Sequence, residues 1–172
     1  MEKYEQALKS LFINKTLQDI EFYDSDMRYF SPDMEKTWIV DGGIEFNLDG
    51  EFVSYVFSAE QDFFNVFVEK LENLNERFES KNLGARDVPA LDALVGKKVT
   101  GIEAKWNFYT ELDEDFEPTG DKKYMPIELI VTFDDSSFLQ LAAIQYNIQE
   151  NQLINFQFNS ERELLISLNK KI

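Results

Sequence analysis

Hydrophobic residues near the N-terminus recur at helical spacing and then give way to extended patterns. Positions i, i+3, i+4, i+7 and i+8 of one face are filled by Tyr4, Ala7, Leu8, Leu11 and Phe12. This spacing predicts an amphipathic helix over residues 2–13. The two segments that follow, 17–23 and 38–40, are predicted to be extended.

From Gly43 onward the hydrophobic period changes to two, which is typical of a half-buried strand. Ile44, Phe46 and Leu48 alternate with polar residues, and the apolar run 52–57 follows Asp49-Gly50. An Asp-Gly pair between two β-prone runs favours a tight hairpin turn, because both positions of that turn need a positive φ. We therefore predict a hairpin over residues 44–57.

The next segment permits two interpretations. Ser58 to Gln61 has the S-x-x-Q form of a capping box, and apolar residues follow at helical spacing as far as Phe78. This pattern predicts a helix over residues 60–79. The alternative is that residues 63–68 continue the sheet as a strand, because short apolar runs fit either structure.

The second half of the chain reads mainly as strands. Asp87 and Pro89 start a short helix that ends before Gly96, and residues 99–109 are extended. A loop over residues 110–123 follows. Further strands are predicted at 126–133 and 138–144, joined as a hairpin, and at 152–158 and 164–168.

Together these elements predict one α+β domain over residues 1–172, in which an N-terminal helix and one or two further helices cover one side of an antiparallel sheet of hairpins. The two predicted hairpins look alike, since both run from an Ile-Glu strand through an acidic turn to an apolar strand that ends in Ala. An ancient duplication explains this likeness, and so does the generic pattern of amphipathic hairpins.

Composition excludes several kinds of chemistry. The 172 residues contain neither His nor Cys, which excludes a Ser-His-Asp triad, imidazole or thiolate metal ligands, and disulfides. Seventeen basic and 33 acidic residues give 17 − 33 = −16. A field of this sign repels nucleic-acid backbones and anionic lipid headgroups, and it favours a basic partner. No cofactor is expected.

Five carboxylates stand together in what we call the acidic segment, whose acidic members are Glu111, Asp113, Glu114, Asp115 and Glu117. Such a cluster is compatible with a hard-cation site, but the glycine and glutamate positions of a Ca²⁺-binding EF-hand loop are missing. It also fits an acidic patch that engages a basic partner. The third interpretation is a solvated charged loop.

Aromatic residues offer a second candidate site. Trp38 and Trp106, with Tyr23, Tyr55 and Tyr109, fit a ligand-binding platform. A Trp in an alternating strand is also typical of a hydrophobic core, because its large apolar ring is stabilised at the interface between sheet and helix.

In size, acidic balance, α+β hairpins and the acidic sequence ELDEDFEP, the chain resembles the immunity proteins of bacterial toxin–immunity systems, including contact-dependent inhibition. This resemblance implies a non-catalytic protein that holds a basic toxin inactive, with Glu111, Asp113, Glu114 and Asp115 facing the toxin's basic cleft. The N-terminus lacks the apolar run of a secretory signal, and no stretch reaches the ~18 apolar residues of a membrane helix. We therefore expect a cytoplasmic location. A small ligand-binding module, or a carboxylate-based enzyme with a pocket on the sheet, is the alternative function.

Overall fold

The computed structural model describes residues 1–24, 36–40, 42–58, 63–74, 82–84, 88–113, 115, 117–149, 152–158 and 163–169. The fold is α+β, as predicted. Its helices are α1 (Glu2–Phe12), α2 (Leu71–Leu74) and α3 (Pro89–Asp92). Its strands are β1 (Leu17–Asp24), β2 (Thr37–Val40), β3 (Gly42–Leu48), β4 (Glu51–Ser58), β5 (Phe63–Phe67), β6 (Asn82–Gly84), β7 (Val99–Leu112), β8 (Pro118–Phe133), β9 (Phe138–Gln149), β10 (Gln152–Phe158) and β11 (Glu163–Leu168).

The strands of the described residues form two antiparallel sheets. The first has five strands in the order β5-β4-β3-β1-β6. Its central hairpin is the one predicted from the sequence, and the turn residues Asp49 and Gly50 have φ of 54° and 88°. The second sheet has six strands, with the order β2-β11-β9-β8-β7 and β10 paired to β9 outside that order. Strand β7 is therefore an edge strand.

Both sheets bury one face in the same hydrophobic core. Phe22 of β1 and Trp38 of β2 belong to different sheets, and their ring centroids are 6.5 Å apart. Helix α1 adds Leu8 and Phe12, and the Phe12 ring meets Phe46 edge-on at 5.5 Å. Burying each such aromatic side chain stabilises the fold by roughly 1.5–3 kcal/mol relative to leaving it exposed. One core therefore joins the two sheets.

The predicted α+β arrangement is confirmed, and the structure adds that the strands of the described residues form two sheets where one was expected. Helix α1 has 11 residues, and α2 and α3 have four each. Helices this short cannot cover a sheet of five or six strands, so the second sheet covers the first. The predicted short helix within residues 87–96 is confirmed as α3.

Of the helix predicted over residues 60–79, the structure contradicts residues 63–67 and confirms residues 71–74. Phe63–Phe67 is a strand that pairs with β4, from Ser58 opposite Phe63 to Ser54 opposite Phe67. Only Leu71–Leu74 is helical, and residues 59–62 and 75–81 lie outside the described residues. Pairing with the free edge of β4 decides the outcome, because a run rich in Phe and Val fits a strand as well as a helix.

The loop predicted over residues 110–123 is much shorter than expected. Strand β7 continues to Leu112 and β8 begins at Pro118, and these two residues are paired. Proline is tolerated there because the first residue of a strand can do without a backbone donor. The acidic segment is therefore the turn of one long hairpin.

Candidate functional site

The outer part of the β7–β8 hairpin is the most exposed structured region of the described chain, and we call residues 107–124 the arm. Strand β8 pairs with β9 only from Glu128 to Thr132, whereas its pairing with β7 continues out to Pro118. Between Phe108 and Tyr124, every residue whose side chain is described is exposed except Thr110. A two-stranded ribbon is only marginally stable by itself, so the folded conformation of the arm depends on the attachment of its base to the sheet.

The structure places the predicted site residues around the turn of this arm. Glu111 lies in β7, although its side chain is outside the described part, and Glu114 is outside the described residues. Asp115 and Glu117 are exposed. Neither they nor Asp113 form an ion pair with any lysine or arginine among the described residues.

Asp113 has a structural role within the turn. Its Oδ1 accepts hydrogen bonds from the backbone N–H groups of Asp115, at 2.9 Å, and Glu117, at 3.0 Å. The Asp113 N–H donates in turn to the Glu117 carbonyl at 2.9 Å. These bonds hold the two exposed carboxylates on a defined turn, which is the usual role of an Asp that bonds its own backbone.

An aromatic face lies next to the acidic segment, and it consists of Phe108 and Tyr124 on the arm and Trp106 at the base of the arm. Phe108 and Tyr124 are directly opposite each other in the register, with ring centroids 6.3 Å apart and exposures of 45% and 51%. The Nζ of Lys122 lies 3.8 Å from the centroid of Phe108. Because side chains alternate along a strand, Tyr109 lies on the opposite face of the arm.

The base of the aromatic face is fixed by α1. Trp106 meets the Tyr4 ring edge-on at 5.3 Å, and its Nε1–H donates to Oε1 of Glu5 at 3.0 Å. A groove of about 240 Å³ between α1 and β7 adjoins this contact, and Glu5 and Glu103 are among its lining residues. The aromatic face therefore runs from a helix-supported base to an exposed ring pair.

The aromatic platform predicted from the sequence does not form. Trp38 is buried in the core opposite Ile166, and Tyr23 and Tyr55 are buried as well. Burial raises the pKa of Tyr55 well above its usual range, and it raises the pKa of Tyr4 too, so both hydroxyls stay protonated at neutral pH. Of the proposed platform, Tyr109 is exposed and Trp106 is half-buried, and the two lie on opposite faces of the β7–β8 hairpin.

A buried carboxylate lies where the arm leaves the sheet. Glu128 is 2% exposed, and its Oε1 accepts hydrogen bonds from Nζ of Lys105 at 2.8 Å and from Nε2 of Gln140 at 2.9 Å. The pairing of β8 with β9 ends at Glu128, on the side nearest the arm. The ion pair thus joins β7, β8 and β9 at the base of the arm.

The outer face of the first sheet carries a second candidate site, which the sequence did not reveal. A cleft of about 220 Å³ is lined by Asp19, Ile20, Glu21, Glu45, Asn47, Phe52 and Lys70. Glu21 and Glu45 are opposite each other in β1 and β3, so cross-strand pairing brings these carboxylates together. The sequence signal for this cleft is the alternating pattern of β3, in which Glu45 stands between Ile44 and Phe46 and therefore points to the opposite face.

Glu45 is the most buried acid of this cleft, at 7% exposure. Its Oε2 accepts a hydrogen bond from the Leu71 N–H at 2.7 Å. Burial raises the pKa of Glu45 and Glu21 adds to this, whereas the hydrogen bond from Leu71 and the charge of Lys70 act in the opposite direction. The Nζ of Lys70 lies 4.6 Å from the centroid of Phe52 and 3.3 Å from Glu72.

The acidic turns of the two central hairpins have structural roles. Oδ1 of Asp49 accepts a hydrogen bond from the Thr16 N–H at 3.3 Å. Asp135 accepts one from the Ser137 N–H at 3.0 Å and pairs with Nζ of Lys97 at 2.6 Å. These bonds hold the pKa of Asp135 well below its usual range. The hairpin turn predicted between residues 133 and 138 is confirmed, and Asp134 and Asp135 lie in it.

The described residues contain no group of three or more Asp or Glu side chains placed to hold a metal ion. The same residues include no helix with the length and apolar character to cross a membrane.

The arm therefore carries an exposed aromatic face, of a kind enriched at protein interfaces, beside exposed acids that form no ion pair with another described residue. Comparison with known proteins adds no family to this description, because no family model, curated sequence or solved structure matches the chain.

Proposed function

We propose that the chain is an acidic binding protein that neutralises a basic protein partner by covering its active site, as an immunity-type inhibitor does in the cytoplasm of the cell that makes the toxin. The observation that carries the proposal is the acidic segment at the exposed end of the arm, where Asp115 and Glu117 have no basic partner among the described residues. Uncompensated acids on a protein of net charge −16 favour a cationic surface.

The position of these acids supports the same function. Residues 111–121 contain six acids and no basic residue. They occupy the turn and outer strands of an arm that is exposed over most of its described length. Charges in this place act on the encounter with a partner, so their contribution appears in the association rate and its salt dependence.

The test begins by immobilising the protein, retaining binding proteins from the source cells, and purifying any basic protein that is retained at equal stoichiometry. The second step measures its association rate at 50 and 300 mM NaCl. Changing Glu111, Glu114, Asp115 and Glu117 to their amides should lower that rate about tenfold at low salt, with a smaller effect at high salt. Asp113 is kept because it holds the turn.

The matched control removes four charges elsewhere, by changing the exposed residues Glu2, Glu72, Asp92 and Asp134 to their amides. Both variants have the same net charge, so only the position of the charges differs. Equal association rates for the two variants would remove the acidic segment from the interface. A retained partner whose activity persists in the complex would contradict the role of inhibitor.

A second function is favoured by the cleft on the first sheet. Its volume of about 220 Å³ and its mixture of Glu45, Asp19 and Lys70 suit a small ligand that carries an amine. Binding of such a ligand stabilises the folded state by RT ln(1 + [L]/Kd), so the melting temperature should rise with ligand concentration. A rise that Asp19→Asn abolishes, without retention of any basic protein, would favour this alternative.

A further inference from the structure

We infer that the aromatic face of the arm is the surface on which arginine side chains of the basic partner stack. This inference rests on the proposed function and assigns the contact that holds the partner after the acidic segment has attracted it. It names a partner chemistry, namely a cationic protein surface rich in arginine.

The exposure of the aromatic face is the first argument. Most large aromatic side chains of the described residues are buried or half-buried, and those that are more exposed are Phe108, Tyr109 and Tyr124. All three lie on the arm. Aromatic residues are enriched at the centres of protein interfaces, where they supply much of the binding energy.

The arm itself shows that this face attracts cations. Lys122 already places its ammonium group 3.8 Å from the centre of the Phe108 ring, while Phe108 remains 45% exposed and Tyr124 51% exposed. A guanidinium group stacks on such rings more favourably than an ammonium group, because it is planar and more weakly hydrated.

Carboxylates border the aromatic face at both ends. The acidic segment follows Phe108 along the arm, and Glu5 contacts Trp106 at the base. Glu103 lies in the adjoining groove. A partner surface that stacks guanidinium groups on the rings can also offer donors to the carboxylates at either end, and this combination of stacking and paired hydrogen bonds suits arginine more than lysine.

Charge argues against a second copy of the chain as the occupant. Each copy has a net charge of −16, and an arm-to-arm contact would bring two acidic segments together. Like charges placed opposite each other weaken an interface. We therefore expect the protein not to associate through its arms at physiological salt.

The experiment uses octa-arginine and octa-lysine peptides as probes, because they have the same charge and differ in their cationic groups. Fluorescence anisotropy gives both dissociation constants at 50 mM NaCl. We expect octa-arginine to bind about fivefold more tightly than octa-lysine, which is the range of one or two exposed cation–π contacts. The double variant Phe108→Ser/Tyr124→Ser should lose most of this preference, because only the part that carboxylates contribute through paired hydrogen bonds is left.

The matched control is Tyr109→Ser, which removes an exposed aromatic ring from the opposite face of the same arm. It should keep the preference for arginine. None of these substitutions changes a charge, so attraction by the acidic segment is constant throughout. Far-UV circular dichroism and thermal melting check the fold, and Phe108→Leu/Tyr124→Leu replaces the serine variant if that variant unfolds.

The outcomes separate the inference from the proposed function. An arginine preference that is undiminished by loss of Phe108 and Tyr124 would overturn the inference, and so would a preference that Tyr109→Ser reduces to the same extent. Equal binding of the two peptides by the unmodified protein would overturn it as well. Absence of salt-sensitive binding to either peptide would contradict the proposed function itself. Sedimentation of the unmodified protein as a dimer that Phe108→Ser disrupts would favour a second copy instead.

Discussion

Replacing Lys105 by Met should destabilise the fold, because it removes the cation that neutralises the buried carboxylate of Glu128. The change keeps most of the aliphatic chain of Lys105 and removes its charge. Among the described residues, Glu128 then keeps the hydrogen bond from Gln140, with its side chain 3% exposed. A buried charge that has lost its partner must be either desolvated without compensation or protonated.

The exposure of the two side chains sets the expected magnitude. Loss of one partner from a fully buried pair costs about 3–5 kcal/mol, whereas an exposed pair contributes about 0–1 kcal/mol. The Lys105 side chain is 46% exposed, so the pair lies between these limits. We expect a loss of about 1–3 kcal/mol, which corresponds to a melting temperature lower by about 2–12 °C for a chain of this size.

Urea unfolding followed by tryptophan fluorescence measures this loss, and a double-mutant cycle isolates the interaction. Glu128→Gln keeps an acceptor for Gln140 and needs no cation, so adding Lys105→Met to it should cost little more. As a control, Lys15→Met breaks the more exposed ion pair with Glu51 and should cost less than 1 kcal/mol or so. A Lys105→Met variant within about 0.5 kcal/mol of the unmodified protein, with no coupling to Glu128, would refute this argument.

Three further predictions concern the conditions of unfolding. Because burial raises the pKa of Glu45 in the folded state, the unmodified protein loses stability as pH rises through that pKa. Urea unfolding at pH 7 should therefore show that Glu45→Gln is more stable than the unmodified protein. This difference in stability should vanish at a pH below the unfolded pKa of about 4.3. The melting temperature should rise between 0.01 and 0.15 M NaCl, because the screening length shrinks from about 30 Å to about 8 Å and repulsion among the excess acids weakens; a flat profile would contradict this. Excess chelator, and then added Ca²⁺, should leave the melting temperature unchanged, whereas a shift of several degrees in either scan would indicate a bound metal ion.

The elements with a strong local signal were predictable from the sequence. The apolar face of α1 needed only helical spacing, and the first hairpin needed only Asp49-Gly50 between alternating strands. Strand β5 was ambiguous because Phe63 to Phe67 satisfies both periods, and its structure is decided by pairing with β4. That pairing is a non-local contact, which periodicity within a short window does not contain.

The candidate site was predictable only in part, for a related reason. The cluster of acids between Glu111 and Glu117 is visible in the sequence. The sequence also shows that Trp106 and Phe108 stand two residues apart, on the same face of a strand. The exposure of this face of β7 depends on where β9 stops pairing with β8. That pairing ends at Glu128, which is 20 residues from Phe108 along the chain. The cleft around Glu45 likewise depends on the register between β1 and β3.

The arrangement of the arm also explains why its acids are tolerated. Repulsion among carboxylates is smallest where solvent and salt surround them, and the described acids at the turn, Asp113, Asp115 and Glu117, are all exposed. Among the acids whose side chains are described near the arm, Glu128 is buried, and it is paired with Lys105 at the base of the arm. The fold therefore neutralises the carboxylate that lies in its interior, and it exposes the carboxylates of the turn to solvent. It follows that amide substitutions at Asp115 and Glu117 should raise the stability of the free protein or leave it unchanged, whereas loss of Lys105 should lower it. Of these changes, only the amide substitutions should alter the rate of association with a basic partner.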